Sequence, residues 1–256
     1  MKTHPRSLLR LLSAAALALA GAGVVNAQTV NPVPAPTIIT SVPYVITQSG
    51  YYQLGADLNA SITSGNIIEI QASNVTIDFA GHYIAGPVGV TNQDTTGVYA
   101  TERANIKIQN GTISYCRQGI NLTGNNSTTS NFRNPRILNM IVTRCYQTGI
   151  GLFAATSPEI NGCLVSSIGG TTTAASADAV GISTDGNRGG KVLNCSVSSI
   201  TSVGSGNSYC IYNPGFAKGN YLYQSRVGII YGKYQDNLTL NVTTPFQSGT
   251  DAGGNN

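Results

Sequence analysis

Three cations and one carboxylate stand at matching places in a repeated sequence: Lys107, Arg136, Glu159 and Lys191, with Thr76 before them and Tyr221 after them. Each directly precedes an apolar residue of its own copy, namely Ile77, Ile108, Ile137, Ile160, Val192 and Leu222. Alternate residues of a strand face opposite sides, so an inward Ile or Val leaves the residue before it pointing outward. Stacked copies turn these positions into one outward polar stripe.

Two chemistries suit such a stripe. As a binding groove, Lys107, Arg136 and Lys191 meet the carboxylates of an acidic polysaccharide and Tyr221 offers a ring face. As a lyase, the same kinds of residue neutralise a uronate and remove its C5 proton, with a base of lowered pKa. The bland alternative is a solvated strand face on which Glu159 bridges Arg136 and Lys191 and offsets their repulsion.

Other residues offer less. The chain beyond the N-terminal leader holds a single histidine, His82, so a Ser-His-Asp triad or a multi-His metal site would depend on it alone. Its Gly81-His82 pair reads as a turn. Asp178 and Asp185 lie in the longest copy, and two isolated aspartates are a thin start for calcium, which needs about six oxygen ligands. Asp185-Gly186 is also a turn signal. No residue is assigned a catalytic role and no metal site is expected. Calcium enters only with the lyase alternative.

The elements that must position these residues come from the repeat. NIKIQNGTISYC (105–116) aligns with NPRILNMIVTRC (134–145), and both align with PEINGCLVSSI, KVLNCSVSSI and NYLYQSRVGII; NVTIDFAGHYI near residue 74 is a sixth copy. A second apolar column runs Ile84, Ile113, Val142, Val165, Val197, Val227. A third marker runs Gly97-Val98, Gly119-Ile120, Gly149-Ile150 and Gly181-Ile182, with Cys210-Ile211 next. A unit this short cannot bury its apolar face alone, but stacked parallel copies form a continuous core. Asn110, Asn139 and Asn194 fall at strand corners, where left-handed turns and a ladder of stacked amides are expected.

These motifs predict an all-β right-handed parallel β-helix of about six coils. With ITQSGYYQLGADL (46–58) and NVTIDFAGHYIAG (74–86), the chain resembles the pectate-lyase-like right-handed β-helix proteins, many of them bacterial, over roughly residues 44–246. The resemblance implies the fold and no one activity, because that superfamily mixes lyases, hydrolases, epimerases and adhesins. The Asp-Pro-His-Asp sequence of alginate epimerases is absent.

The ends read differently. Lys2, Arg6 and Arg10 lead into an apolar stretch ending at Val25-Asn26-Ala27, which fits a signal peptide cleaved after Ala27. The apolar part is shorter than the roughly 20 residues of a membrane-spanning helix, so no integral membrane segment is expected after cleavage. Three of the 14 Lys and Arg lie in the leader and none of the ten Asp and Glu do, leaving 11 cations against 10 anions. Such a balance gives no footing for nucleic-acid binding. Residues 28–43 read as a Pro-rich linker, 44–246 as the β-helix, and 247–256 as a disordered tail.

Five cysteines in an exported chain allow two disulfides and a spare thiol. They also suit core packing: Cys116 and Cys145 share a column with Ile168, Ile200 and Ile230, and Cys163 stacks on Cys195. The expectation is a secreted, periplasmic or cell-surface protein that binds a polysaccharide or cell-surface glycan, or presents a surface, without strong catalysis. The alternatives are a polysaccharide lyase and a structural envelope or adhesin module.

Overall fold

The structure, a computed structural model, describes residues 35–90, 93–125, 131–170, 176–184 and 188–256. The expected leader and Asp185 lie outside these residues. Among them, 23 strands join in one parallel sheet that winds as a right-handed parallel β-helix.

One coil shows how the winding arises. Strand Ile106–Ser114 bends at Asn110, where φ is 59°, and the chain turns again at Tyr115, φ 55°, into Gln118–Thr123. The next coil repeats this with Arg136–Thr143 and Thr148–Phe153, each residue paired to the one above it. Three faces result: sheet A before the first bend, sheet B between the bends, and sheet C after the second. The register defines eight complete coils from Gly50 to Gln247, one more at each end than the sequence repeat contains.

The core is a set of inward ladders. Ile77, Ile108, Ile137, Ile160 and Val192 stack on sheet A, all fully buried. Burying each such side chain contributes about 1.5–3 kcal/mol. Sheet C carries Val98, Ile120, Ile150, Ile182 and Ile211 in one register line. Beside it Gly97, Gly119, Gly149 and Gly181 stack without side chains, because a Cβ on Gly149 would lie 2.6 Å from the Gly181 carbonyl oxygen and 2.5 Å from Val165.

Asn110, Asn139 and Asn194 all take the expected left-handed turn, and Asn194 Nδ2 donates to Asn161 Oδ1 at 3.2 Å, while a longer amide ladder runs along another corner. Asn105 Nδ2 donates to Asn74 Oδ1 at 2.7 Å, and Asn134 Nδ2 to Asn105 Oδ1 at 3.1 Å, all three residues having positive φ. Asn110 instead donates to Asp78. A buried ladder closes the last coils, where Asn220 Nδ2 donates to Asn237 Oδ1 at 2.8 Å and Asn237 Nδ2 to Asn255 Oδ1 at 3.0 Å.

The structure revises three sequence expectations. Val192 pairs with Ala217, so Leu222 continues the sheet B line from Val197, and Val227 belongs to sheet C beside Tyr209. The cause is strand Phe216–Lys218, whose Ala217 gives no strong apolar signal, so the strand after it was aligned in its place. Ile230 accordingly leaves the cysteine line. The linker prediction over 28–43 fails for its described part: Thr37–Ile39 pairs with Tyr52–Leu54, and the chain turns through a cis Val42–Pro43 bond into Tyr44–Ile46. The tail is also ordered, with Thr250–Asp251 on Lys233–Tyr234. Proline survives here because Pro36 and Pro43 flank the first strands, and Pro245 sits in the last long strand, Leu238–Gln247, where one side of the backbone has no further coil to bond.

All five cysteines are free and buried. Burial pushes the Cys116 and Cys210 thiols up to about 12. Thiol reagents at neutral pH are therefore expected to label the native protein negligibly and all five cysteines after denaturation; rapid native labelling would show the coils to be open. Gly149→Ala is expected to cost about 1–3 kcal/mol in urea denaturation, since the added methyl meets backbone of the next coil.

Candidate functional site on the first sheet

The outward residues of sheet A stack in register as Thr76, Lys107, Arg136, Glu159 and Lys191. Neighbouring coils are about 4.8 Å apart, so the charges form a row along the axis. The line then continues to Phe216 and Lys233, not to Tyr221. From Thr76 to Lys233 the column thus holds four cations, one carboxylate and one ring, and Tyr51 stands one coil before Thr76.

Part of this column forms a groove of about 420 Å³, lined by Asn105, Ile106, Lys107, Asn134, Arg136, Ser157 and Glu159. Sequence reasoning found Lys107, Arg136 and Glu159, which the fold brings together, and Lys191, which lies one coil beyond. It missed Asn105, Asn134 and Ser157. Their signal was present, since Asn and Ser tolerate the left-handed corner that each occupies. Phe216 and Lys233 were hidden because the inward residues that follow them, Ala217 and Tyr234, are not the Ile, Val or Leu that marks the column elsewhere.

Within the groove Arg136 Nε and Nη2 both donate to Glu159 Oε2, at 3.2 and 2.9 Å. Glu159 is the more sheltered partner, its side chain 23% exposed against 56% for Arg136. The pair fixes the guanidinium plane while Lys107 and Lys191 stand on either side. The bridge from Glu159 to Lys191 is not among the ion pairs of the described residues. The local field is positive.

Asp78, two positions along the same face, is fully engaged. It accepts from Tyr51 Oη at 3.1 Å, Gln109 Nε2 at 2.7 Å and the Ala80 amide at 2.8 Å, as well as from Asn110. Burial alone would raise its pKa, but these hydrogen bonds outweigh it and hold the carboxyl below its ordinary range. Asp78 therefore pins the first bend of its coil.

His82 also holds a turn. Its Nδ1 lies 3.1 Å from Asp57 Oδ1, which also accepts from the Tyr83 amide at 3.2 Å. Asp178 Oδ1 accepts from the Asn207 amide at 2.7 Å and steadies a loop. No group of three or more potential metal-ligating side chains occurs among the described residues.

Tyr221 faces outward from sheet B, its ring nearly parallel to that of Tyr223 with centroids 6.4 Å apart. It shares that sheet with exposed Ile141, Leu164, Leu238 and Leu240. Tyr234 serves packing, stacked on Phe246 at 4.7 Å in the last coil.

A second cleft, of about 520 Å³, lies at the corner between sheets B and C, around Tyr115, Arg144, Tyr146 and Ile168. Arg144 Nη1 donates to Tyr115 Oη at 2.6 Å, and its Cζ stands 5.4 Å from the centre of that ring. Nothing in the repeat singled out these residues.

No protein-family model matches the sequence, and no curated protein matches it. Four solved chains do. One is the catalytic domain of a GH87 alpha-1,3-glucanase, variant D1069A, in complex with tetrasaccharides, with 11% identity and a TM-score of 0.37, covering 84% of this chain. This chain spans 63% of that domain. No helix among the described residues is long and apolar enough to cross a membrane.

The position of Asp78 makes acid stability testable. A carboxyl with a lowered folded pKa contributes stability that is present above its unfolded value, near 3.8, and lost as pH falls through the folded pKa. Asp78→Asn is expected to melt lower than wild type at pH 6, with the gap closing as the pH drops below about 4. A gap independent of pH would mean that the carboxylate charge plays no part.

Proposed function

We propose that this protein is an exported glycan-binding β-helix that holds an acidic polysaccharide along sheet A without cleaving it. The observation that carries the reading is the in-register row of Lys107, Arg136 and Lys191 beside an open groove. Carboxylates or sulfates of an extended chain meet cations on the coils of Lys107, Arg136 and Lys191, and on the coil between the last two, Glu159 orients Arg136, which presents its remaining N–H groups. The corner amides of Asn105 and Asn134 supply donors and acceptors for sugar hydroxyls, and Phe216 supplies an apolar surface further along the axis. The groove's one carboxylate accepts two bonds from Arg136, which suits an orienting role better than proton transfer. Export rests on the leader alone.

Retention on immobilised polygalacturonate, alginate and heparin tests this. Wild type is expected to bind at low salt and to elute as salt rises. Lys107→Ala/Lys191→Ala is expected to lose most of that retention while keeping its melting temperature, and no 4,5-unsaturated uronate absorbance should develop. Equal retention on neutral dextran, or appearance of the unsaturated product, would overturn the reading.

A further inference from the structure

The corner between sheets B and C is made in successive coils by one left-handed residue: Tyr115, Arg144, Ser167, Ser199 and Gln224, with φ between 52° and 56°. This conformation is unfavourable for large side chains and mildest for Gly, Asn and Asp. Elsewhere asparagine is the commonest choice, at 74, 105, 110, 134, 139, 194 and 213, with Glu102 and Tyr231 as larger exceptions, and Asn241 takes this same corner one coil after Gln224. At two neighbouring coils it instead places a tyrosine and an arginine, the pair that forms the wall of the second cleft. Backbone cost retained at one spot points to what the side chains do there.

The cleft is built like a saddle. The turns between Ser114 and Gln118 and between Thr143 and Thr148 are short. On one side stands Gly89, in the longer connection that follows Tyr83–Ala85; on the other stand Gly169 and Gly170, where strand Leu164–Gly169 ends. Ile168 and Cys145 lie beneath, both buried.

We propose that this cleft binds a small aromatic monocarboxylate, with its carboxylate on the Arg144 guanidinium and its ring against Tyr115 and Tyr146. A guanidinium has five N–H donors, and Arg144 spends one on Tyr115 Oη. Stacking over the Tyr115 ring holds the fork in place, which lowers the entropy lost on binding. No acidic side chain lines the cleft. Its hydroxyls are those of Tyr115, Tyr146, Ser167, Ser199 and Thr201, of which Tyr115 Oη already accepts from Arg144 and Ser199 Oγ already donates to Gln224 Oε1 at 3.1 Å. The remaining wall is ring, aliphatic carbon and glycine backbone. One anionic head on a flat apolar body matches one guanidinium set among rings, Ile168 and glycine backbone, whereas a sugar ring has no such flat apolar body to set against them. The proposal does not rest on the sheet A groove, and it uses a different ligand and a different corner.

Calorimetric titration of the full chain with 2-naphthoate tests it, alongside naphthalene-2-methanol, acetate and galacturonate. Naphthoate is expected to bind at least about tenfold more tightly than the neutral alcohol, the small acid or the acidic sugar. Arg144→Asn should weaken it by roughly tenfold to a hundredfold, the loss expected for a charged hydrogen-bonding partner. Because Asn suits the left-handed corner, this variant should melt no lower than wild type. Tyr115→Phe, which keeps the ring, should weaken binding less. No naphthoate binding, equal binding by the alcohol, or stronger binding by galacturonate would each overturn the proposal. So would an Arg144→Asn protein that melts several degrees lower and binds naphthoate as wild type does, since Arg144 would then serve the fold alone.

Discussion

Each coil is bonded to the next through parallel backbone ladders, and every residue must tolerate a counterpart about 4.8 Å above and below it. This spacing decides which side chains face inward. Isoleucine and valine stack well at that distance, so they fill the sheet A and sheet B lines. Glycine takes the place where the next coil's carbonyl leaves no room for a Cβ. Asparagine is admitted when it meets another asparagine, since one amide donates to the next and the buried pair at Asn220 and Asn237 is satisfied. An inward charge would meet no such partner, so ionic chemistry is confined to outward columns and corners.

The two clefts use this geometry in opposite ways. On sheet A the charges come from strand residues, spaced by the ladder itself, and the result is a row suited to a polymer. At the corner between sheets B and C, Tyr115 and Arg144 come from turn positions and close on one another. A concave pocket suited to a compact ligand results.

How much was legible in the sequence follows from the same constraint. The period was readable because Ile77, Ile108, Ile137, Ile160 and Val192 recur as β-branched residues at one place in each copy, and the outward residues came with them. Lys107, Arg136, Glu159 and Lys191 were placed correctly for that reason. Tyr221 was displaced by one strand because Ala217 stands where an isoleucine would have marked the ladder. Arg144 could not be singled out at all. Its importance depends on the tyrosine one coil away and on Gly89, Gly169 and Gly170 beside them, and only the wound chain brings these together. The terminal segments were misread on composition, Pro-rich over 28–43 and Gly- and Asn-rich over 247–256, while Thr37–Ile39 and Thr250–Asp251 still pair with the neighbouring coil.

Those prolines bear on the edges of the described ladder. A stack of coils has no internal reason to stop, for its last ladder presents the same unpaired groups that bound the one before. Pro36 and Pro43 border the first strands, and Pro245 lies in the final long strand. Each removes a donor where a further chain could otherwise add. Among the described residues, these prolines leave gaps in the donor rows of the outermost strands, and such gaps blunt a sheet edge against pairing with another chain.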